Sequence, residues 1–192
     1  MAENKKSARR RRAHLVLIDE SGFLISPLVR RTLAPRGHTP ILKTKGAHRE
    51  KVSVTAALTI SPKRYRLGLY WQTYPRSYVN AQRASDFLRY LLQNLRGNVI
   101  VVWDGGPMHK GDPIRQVLHD FPRLSLERLP PYAPDLNPVE YLWSYLKYGK
   151  LANFTPDDVF QLDAIVTEHL RCTRKSSKRL SGYFDAAKLP FR

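Results

Sequence analysis

Five consecutive apolar residues, Val99-Ile-Val-Val-Trp103, run without a polar interruption and end at Asp104. A strand with one face in water alternates apolar and polar residues, whereas a strand apolar at every position is covered on both faces. The chain is therefore expected to build an α/β sheet around this strand, with helices on either side. Asp104 then stands at the strand's carboxyl end, where sites in open α/β sheets form.

The flanking segments fill in the other layers. Residues 14–19 (HLVLID) read as a β-rich run that also ends in carboxylate, at Asp19. Residues 21–50 hold six Gly or Pro and predict loops and short strands. Lys51–Ile60 and residues 66–74 alternate as two strands of a hairpin turned at Ser61-Pro62-Lys63. From Asn80 the period changes, with Ala84, Phe87, Leu88, Leu91, Leu92 and Leu95 at helical spacing until Gly97-Asn98. A short helix over 113–119 capped by Asp112, a strand over 124–129, a helix from Asn137 to about Tyr148 and another from about 157 to 171 complete the series. The strand–helix–strand order predicts that the first and fourth strands lie side by side and parallel.

Charge narrows the partner. Lys and Arg number 33 against 16 Asp and Glu, a formal net charge of +17. Residues 1–13 carry +5, residues 28–51 carry +6 and residues 171–192 carry +6, so the remainder is neutral. A neutral body with three basic segments fits a scaffold that grips a phosphate backbone. The basic residues expected to touch DNA are Arg9, Arg10, Arg11, Arg12, Arg30, Arg31, Arg36, Lys43 and Lys45, with further nonspecific affinity from the segment after Arg171. The longest uncharged apolar run has five residues, too few for a membrane span, and no secretory signal is visible. A single cysteine, Cys172, leaves no internal disulfide or Cys-based zinc cluster.

A third acid completes a set. In Asn137-Pro-Val-Glu140 the Asn is a good N-cap, Pro138 suits the first helical position and Glu140 falls at the third. Val139, Leu142, Trp143 and Leu146 form one apolar stripe, which leaves Glu140, Ser144 and Lys147 on another. Glu140 is then either a ligand facing a site or half of a capping box; Asp19 and Asp104 are either ligands or turn-starting aspartates. Hard oxygen donors suit Mg²⁺ or Mn²⁺, and two such ions on a scissile phosphate activate the attacking water and neutralise the leaving oxygen. The phosphate loop, dinucleotide fingerprint, hydrolase elbow and His-x-x-Arg signature of rival chemistries do not occur.

Three stretches carry a resemblance: Leu17-Ile-Asp-Glu-Ser-Gly-Phe23, Val101-Val-Trp-Asp104 with His109, and Leu129-Pro-Pro-Tyr-Ala-Pro-Asp-Leu-Asn-Pro-Val-Glu140-Tyr-Leu-Trp143. They resemble the catalytic domain of the DDE transposases, in the insertion-sequence branch related to mariner elements. Thirty-five residues lie between Asp104 and Glu140, close to that family's spacing. The resemblance runs from about His14 to Lys147. It implies a ribonuclease-H-like α/β fold, a mixed five-stranded sheet flanked by helices, and a metal triad of Asp19, Asp104 and Glu140 that binds Mg²⁺ or Mn²⁺ as two ions. It also implies supporting roles for Glu20, His109 and Asn137. The activity implied is phosphodiester hydrolysis at transposon ends followed by strand transfer, by a homodimer in the cytoplasm at the nucleoid.

Departures accompany the match. Leu33 stands where the family usually has tryptophan, Gly105 stands where Asn often follows the second acid, and 13 residues before the first strand cannot hold the helix-turn-helix modules that read element ends. The expected plan is a basic tail over 1–13, the catalytic domain over 14–172 and a basic tail over 173–192. Such a chain is the catalytic half alone, from a split frame that supplies the helix-turn-helix half separately or from a truncated copy. Two other readings stand beside it, a DNA-binding relic without activity and a different ribonuclease-H-like nuclease.

Overall fold

The apolar run becomes the fourth strand of five. The structure, a computed structural model, describes residues 8, 11–44, 50–63, 66–130 and 133–189. In chain order the elements are β1 (His14–Leu24), β2 (Lys51–Ile60), β3 (Leu67–Pro75), α1 (Ala81–Asn94), β4 (Val99–Trp103), α2 (Asp112–Asp120), β5 (Leu124–Arg128), α3 (Pro138–Ser144), α4 (Val159–Arg174) and α5 (Ser177–Ala186). The sheet order is β3-β2-β1-β4-β5. The hairpin β2–β3 is antiparallel, β1 pairs antiparallel with β2, and β4 is parallel to both β1 and β5.

Side-chain alternation divides the core into two layers. Leu15, Leu17, Val54, Leu58, Ile100 and Val102 face one side, where α3, α4 and α5 pack with Leu142, Val166 and Phe184. Val16, Ile18, Val99, Val101 and Trp103 face the other side, against Phe87 and Leu91 of α1 and Val117 of α2. All five residues of β4 are buried, which is why none is polar.

Local chemistry sets the helix ends. Asn80 caps α1 by accepting the Arg83 N–H at 3.0 Å. At the other end, Arg123 donates to the carbonyls of Leu95 at 2.7 Å, Gly97 at 2.5 Å and Leu92, groups that a helix terminus otherwise leaves to water. Asn137 caps α3 as expected, its Oδ1 accepting from the Val139 N–H at 3.2 Å. The helix continues past Ser144 as a π-turn over Tyr145–Lys150.

Four features differ from the sequence reading. β1 does not stop at Asp19 but runs to Leu24, because β2 stays paired with it as far as Leu24 opposite Lys51. Asp112 is the first residue of α2 and Gly111 is its cap. The π-turn carries the third helical segment past Tyr148 to Lys150. Residues 173–192 are not simply a basic tail: Ser176 caps α5, whose Leu180, Tyr183 and Phe184 are buried in the core. The apolar spacing at 180, 183 and 184 was hidden among basic residues.

Candidate active site

Register brings two acids to one level. In the parallel pair, Leu17 stands opposite Val102, so Asp19 and Asp104 each lie two residues further on. Asp19 continues the face of Leu15 and Leu17, and Asp104 continues that of Ile100 and Val102, the face on which α3 packs. Glu140 sits in the first turn of that helix. The three acids, with Arg128, Leu129, Asn137 and the loop at Gly105-Gly106, line one open cleft of about 550 Å³.

The acids sit in unlike surroundings. Asp19 is half-buried, and its Oδ2 accepts the indole N–H of Trp143 at 2.7 Å. Burial, together with the charges of Glu140, Glu20 and Asp104, pushes the Asp19 carboxyl up to about 7 against the pull of that hydrogen bond. The Asp104 side chain is 57% exposed, and its Oδ1 accepts the Gly106 N–H at 2.8 Å. Glu140 is exposed.

His109 links Asp104 to Glu20. Its ring lies on Trp103 with centroids 4.0 Å apart, Nδ1 stands 2.8 Å from Asp104 Oδ1, and Nε2 stands 3.2 Å from Glu20 Oε1. Burial opposes the imidazolium, but the hydrogen bond and charge of Glu20, with Asp104, outweigh it and hold His109 above its ordinary value. A doubly protonated ring donates at both nitrogens, which matches an acceptor at each end.

Asn137 ties the layers together. Only 2% exposed, it donates from Nδ2 to the Ile18 carbonyl at 3.2 Å, one residue before Asp19, while capping the helix that carries Glu140.

Two contributors carried no assigned role in the sequence reading. Trp143 looked like a core residue on the apolar stripe, yet its indole N–H is the hydrogen-bond donor to Asp19. Lys147 is half-buried with its Nζ 5.5 Å from the Phe23 ring centroid, and burial lowers its pKa while Glu140 and Asp19 pull it back up. The signals were the tryptophan inside the long motif and the Glu140–Ser144–Lys147 stripe.

The proposed DNA contacts divide. Arg11 donates to Ser125 Oγ at 3.1 Å, and its carbonyl accepts from Asn98 at 3.0 Å, fixing the lead into β1. Arg30 donates from Nη1 to the Tyr148 carbonyl at 2.6 Å and holds the π-turn. Arg12, Arg31, Arg36 and Lys43 are exposed, and Arg9, Arg10 and Lys45 lie outside the described residues.

The donor set fits a divalent cation by type, three hard carboxylates with Asp19 crowded by like charge. Among the described residues, no three His, Cys, Asp or Glu side chains stand close enough to enclose an ion as they are. The Asp104 carboxylate is held by its own loop, through the Gly106 N–H and His109.

This fold, a mixed five-stranded sheet with acids at the carboxyl end of its central strands, is ribonuclease-H-like. Residues 14–163 match the DDE superfamily endonucleases, and the chain belongs to that family. Among solved structures, it resembles a chain of a pre-cleavage Mos1 transpososome with TM-score 0.67 and 21% identity, covering 98% of this chain and 57% of that one. The Mos1 mariner paired end complex with Mn gives TM-score 0.63 and 23% identity, with 98% and 56% covered. The catalytic domain of Mos1 mariner transposase gives TM-score 0.60 and 19% identity, with 98% and 84% covered. The chain thus spans little more than half the length of the transpososome chains it resembles. No curated protein matches the sequence. No helix among the described residues is long and apolar enough to cross a membrane.

Proposed function

We propose that this chain is the catalytic domain of a DNA transposase that hydrolyses a phosphodiester at an element end and directs the freed 3′-hydroxyl at target DNA. The observation that carries this reading is the convergence of Asp19, Asp104 and Glu140, from three separate elements, on one cleft in a DDE superfamily fold. Asp19, Asp104 and Glu140 are the residues that hold Mg²⁺ or Mn²⁺, as two ions. Bound there, the metal supplies Lewis-acid activation of the attacking oxygen and neutralises charge on the leaving oxygen.

The chain's own groups prepare that site. Trp143 fixes one oxygen of Asp19 and leaves Oδ1 as a donor. His109, clamped by Trp103 and Glu20, holds the Asp104 backbone carbonyl and stands against its carboxylate. Asn137 holds the start of α3 against β1, so Glu140 and Asp19 move as one unit. The basic segments attract the polyanion toward an acidic cleft that repels it without cations. This reading carries with it a homodimer and a helix-turn-helix module that reads element ends, acting at the nucleoid.

Incubating the protein with the terminal DNA of its own element and Mg²⁺ or Mn²⁺, beside an Asp104→Ala control, tests this. Cleavage is expected only in the wild type, and cleavage that survives in Asp104→Ala would sink the assignment.

A further inference from the structure

Gly182 lies in the interior of α5, where alanine would form the helix better, and a Cβ built there meets nothing within 4 Å. Gly182 lines a groove of about 620 Å³ between α3 and α5, together with Tyr141, Ser144, Tyr145, Lys178 and Arg179. The Arg179 guanidinium lies 4.9 Å from the Tyr145 ring centroid. Among the described residues no ion pair engages Lys178 or Arg179, and five basic and no acidic residues fall between 171 and 179. Tyr141 follows Glu140 directly and Ser144 lies one turn, roughly 6 Å, further along the same helix, so α3 borders both the groove and the acidic cleft.

We propose that this groove binds an unpaired DNA strand running out of the cleft, with backbone phosphates on Lys178 and Arg179 and bases against Tyr141. The proposal rests on reading the cleft as a DNA-cleaving site. Uncompensated cations match a phosphate backbone, and half-buried tyrosine rings offer stacking faces to bases that a duplex keeps inside its own stack. Ser144 adds an exposed hydroxyl between the two features. The charges come from the end of the chain and the rings from α3, so the site exists only once α5 has docked.

Fluorescence anisotropy of a labelled 12-nucleotide single strand and of its duplex, with the full chain in EDTA, tests this without any cleavage step. For the single strand, Lys178→Gln/Arg179→Gln is expected to reduce the slope of log K against log[salt] by about 1.4, roughly 25-fold in affinity at 0.1 M salt, from about 0.7 per phosphate. Gly182→Phe fills the groove and is expected to weaken single-strand binding at least tenfold and duplex binding less than twofold, while Gly182→Ala binds as wild type. An unchanged slope in the double variant, or wild-type binding by a folded Gly182→Phe, overturns the groove as a binding site. Equal weakening of strand and duplex by Gly182→Phe overturns its preference for an unpaired strand. If Gly182→Phe fails to fold by circular dichroism, the salt slope alone decides. Because binding is read without metal, its outcome is independent of whether Asp104→Ala abolishes cleavage.

Discussion

Gly106 shows how closely single atoms govern the cleft. A Cβ at this position would fall 3.0 Å from Asp104 Oδ1 and 2.7 Å from Met108 Sδ, so alanine here would press on the carboxylate that accepts the Gly106 N–H. Gly106→Ala is expected to displace Asp104 and lower kcat at least tenfold with little change in the melting temperature; kinetics beside a thermal melt separate the two. Asp19 makes a second residue-scale prediction. Without metal its carboxyl is pushed up to about 7, by burial first and then by Glu140, whereas unfolding returns it to the ordinary carboxylate range. Between about pH 4 and 7 the folded state keeps a proton that the unfolded state has released, so stability from this group is present below pH 4 and lost as pH rises through 7. At about 1.4 kcal/mol per pKa unit the loss is a few kcal/mol at most. Asp19→Asn cannot ionise, so in EDTA it is expected to match wild type near pH 4, melt several degrees higher at pH 8 and cleave nothing. The same pH slope in both proteins would show that another group titrates.

At the scale of elements, junctions count for more than interiors. Arg123 closes the end of α1 by donating to three carbonyls, and Arg123→Ala removes the donor from the part-buried Leu92 and Leu95 carbonyls and the exposed Gly97 carbonyl. A cost of roughly 1.5–3 kcal/mol is expected in urea unfolding, with Arg123→Lys recovering only part because an ammonium lacks the planar fork. Asn137 acts at the other junction. Asn137→Asp keeps the cap oxygen but loses the donor to Ile18 and adds a charge near Asp19, so it is expected to cost more activity than stability, whereas Asn137→Ala costs both. Thermal melts and cleavage rates on the two variants distinguish cap from tether. Elements with one dominant period, such as α1 and β4, were legible because burial imposes that period on every residue. β1 beyond Asp19 was not, since Glu20, Ser21 and Gly22 are held in the strand by β2 partners 31 to 35 positions away. α5 escaped for a similar reason: Leu180, Tyr183 and Phe184 are buried by packing against α3, β3 and α4, contacts that no local pattern marks. The three acids could be named from the sequence, but the Trp143 and His109 contacts that set their state depend on register, which no local pattern encodes.

The whole molecule is a set of three distant chain segments brought to one cleft against their own repulsion. Asp19 comes from β1, Asp104 from the end of β4 and Glu140 from α3, and the fold holds them on one side of a sheet in a chain of formal net charge +17. A cation that binds all three stabilises the folded state alone, because the unfolded chain has no such arrangement. With free Mn²⁺ at about 100 times its dissociation constant the gain is about 2.7 kcal/mol, which in a domain of this size raises the melting temperature by roughly 5–10 °C. The rise is expected to be larger at pH 8 than at pH 6, since Asp19 must lose its proton to bind, and to be absent in Asp104→Ala. Differential scanning in EDTA, Mg²⁺ and Mn²⁺ measures it directly. A rise of equal size in Asp104→Ala would place the ion away from the cleft and separate the triad from the metal. A rise confined to the wild type would tie β1, β4 and α3 into one ion-linked unit, and its pH dependence would report how much of the binding free energy goes to removing the proton from Asp19.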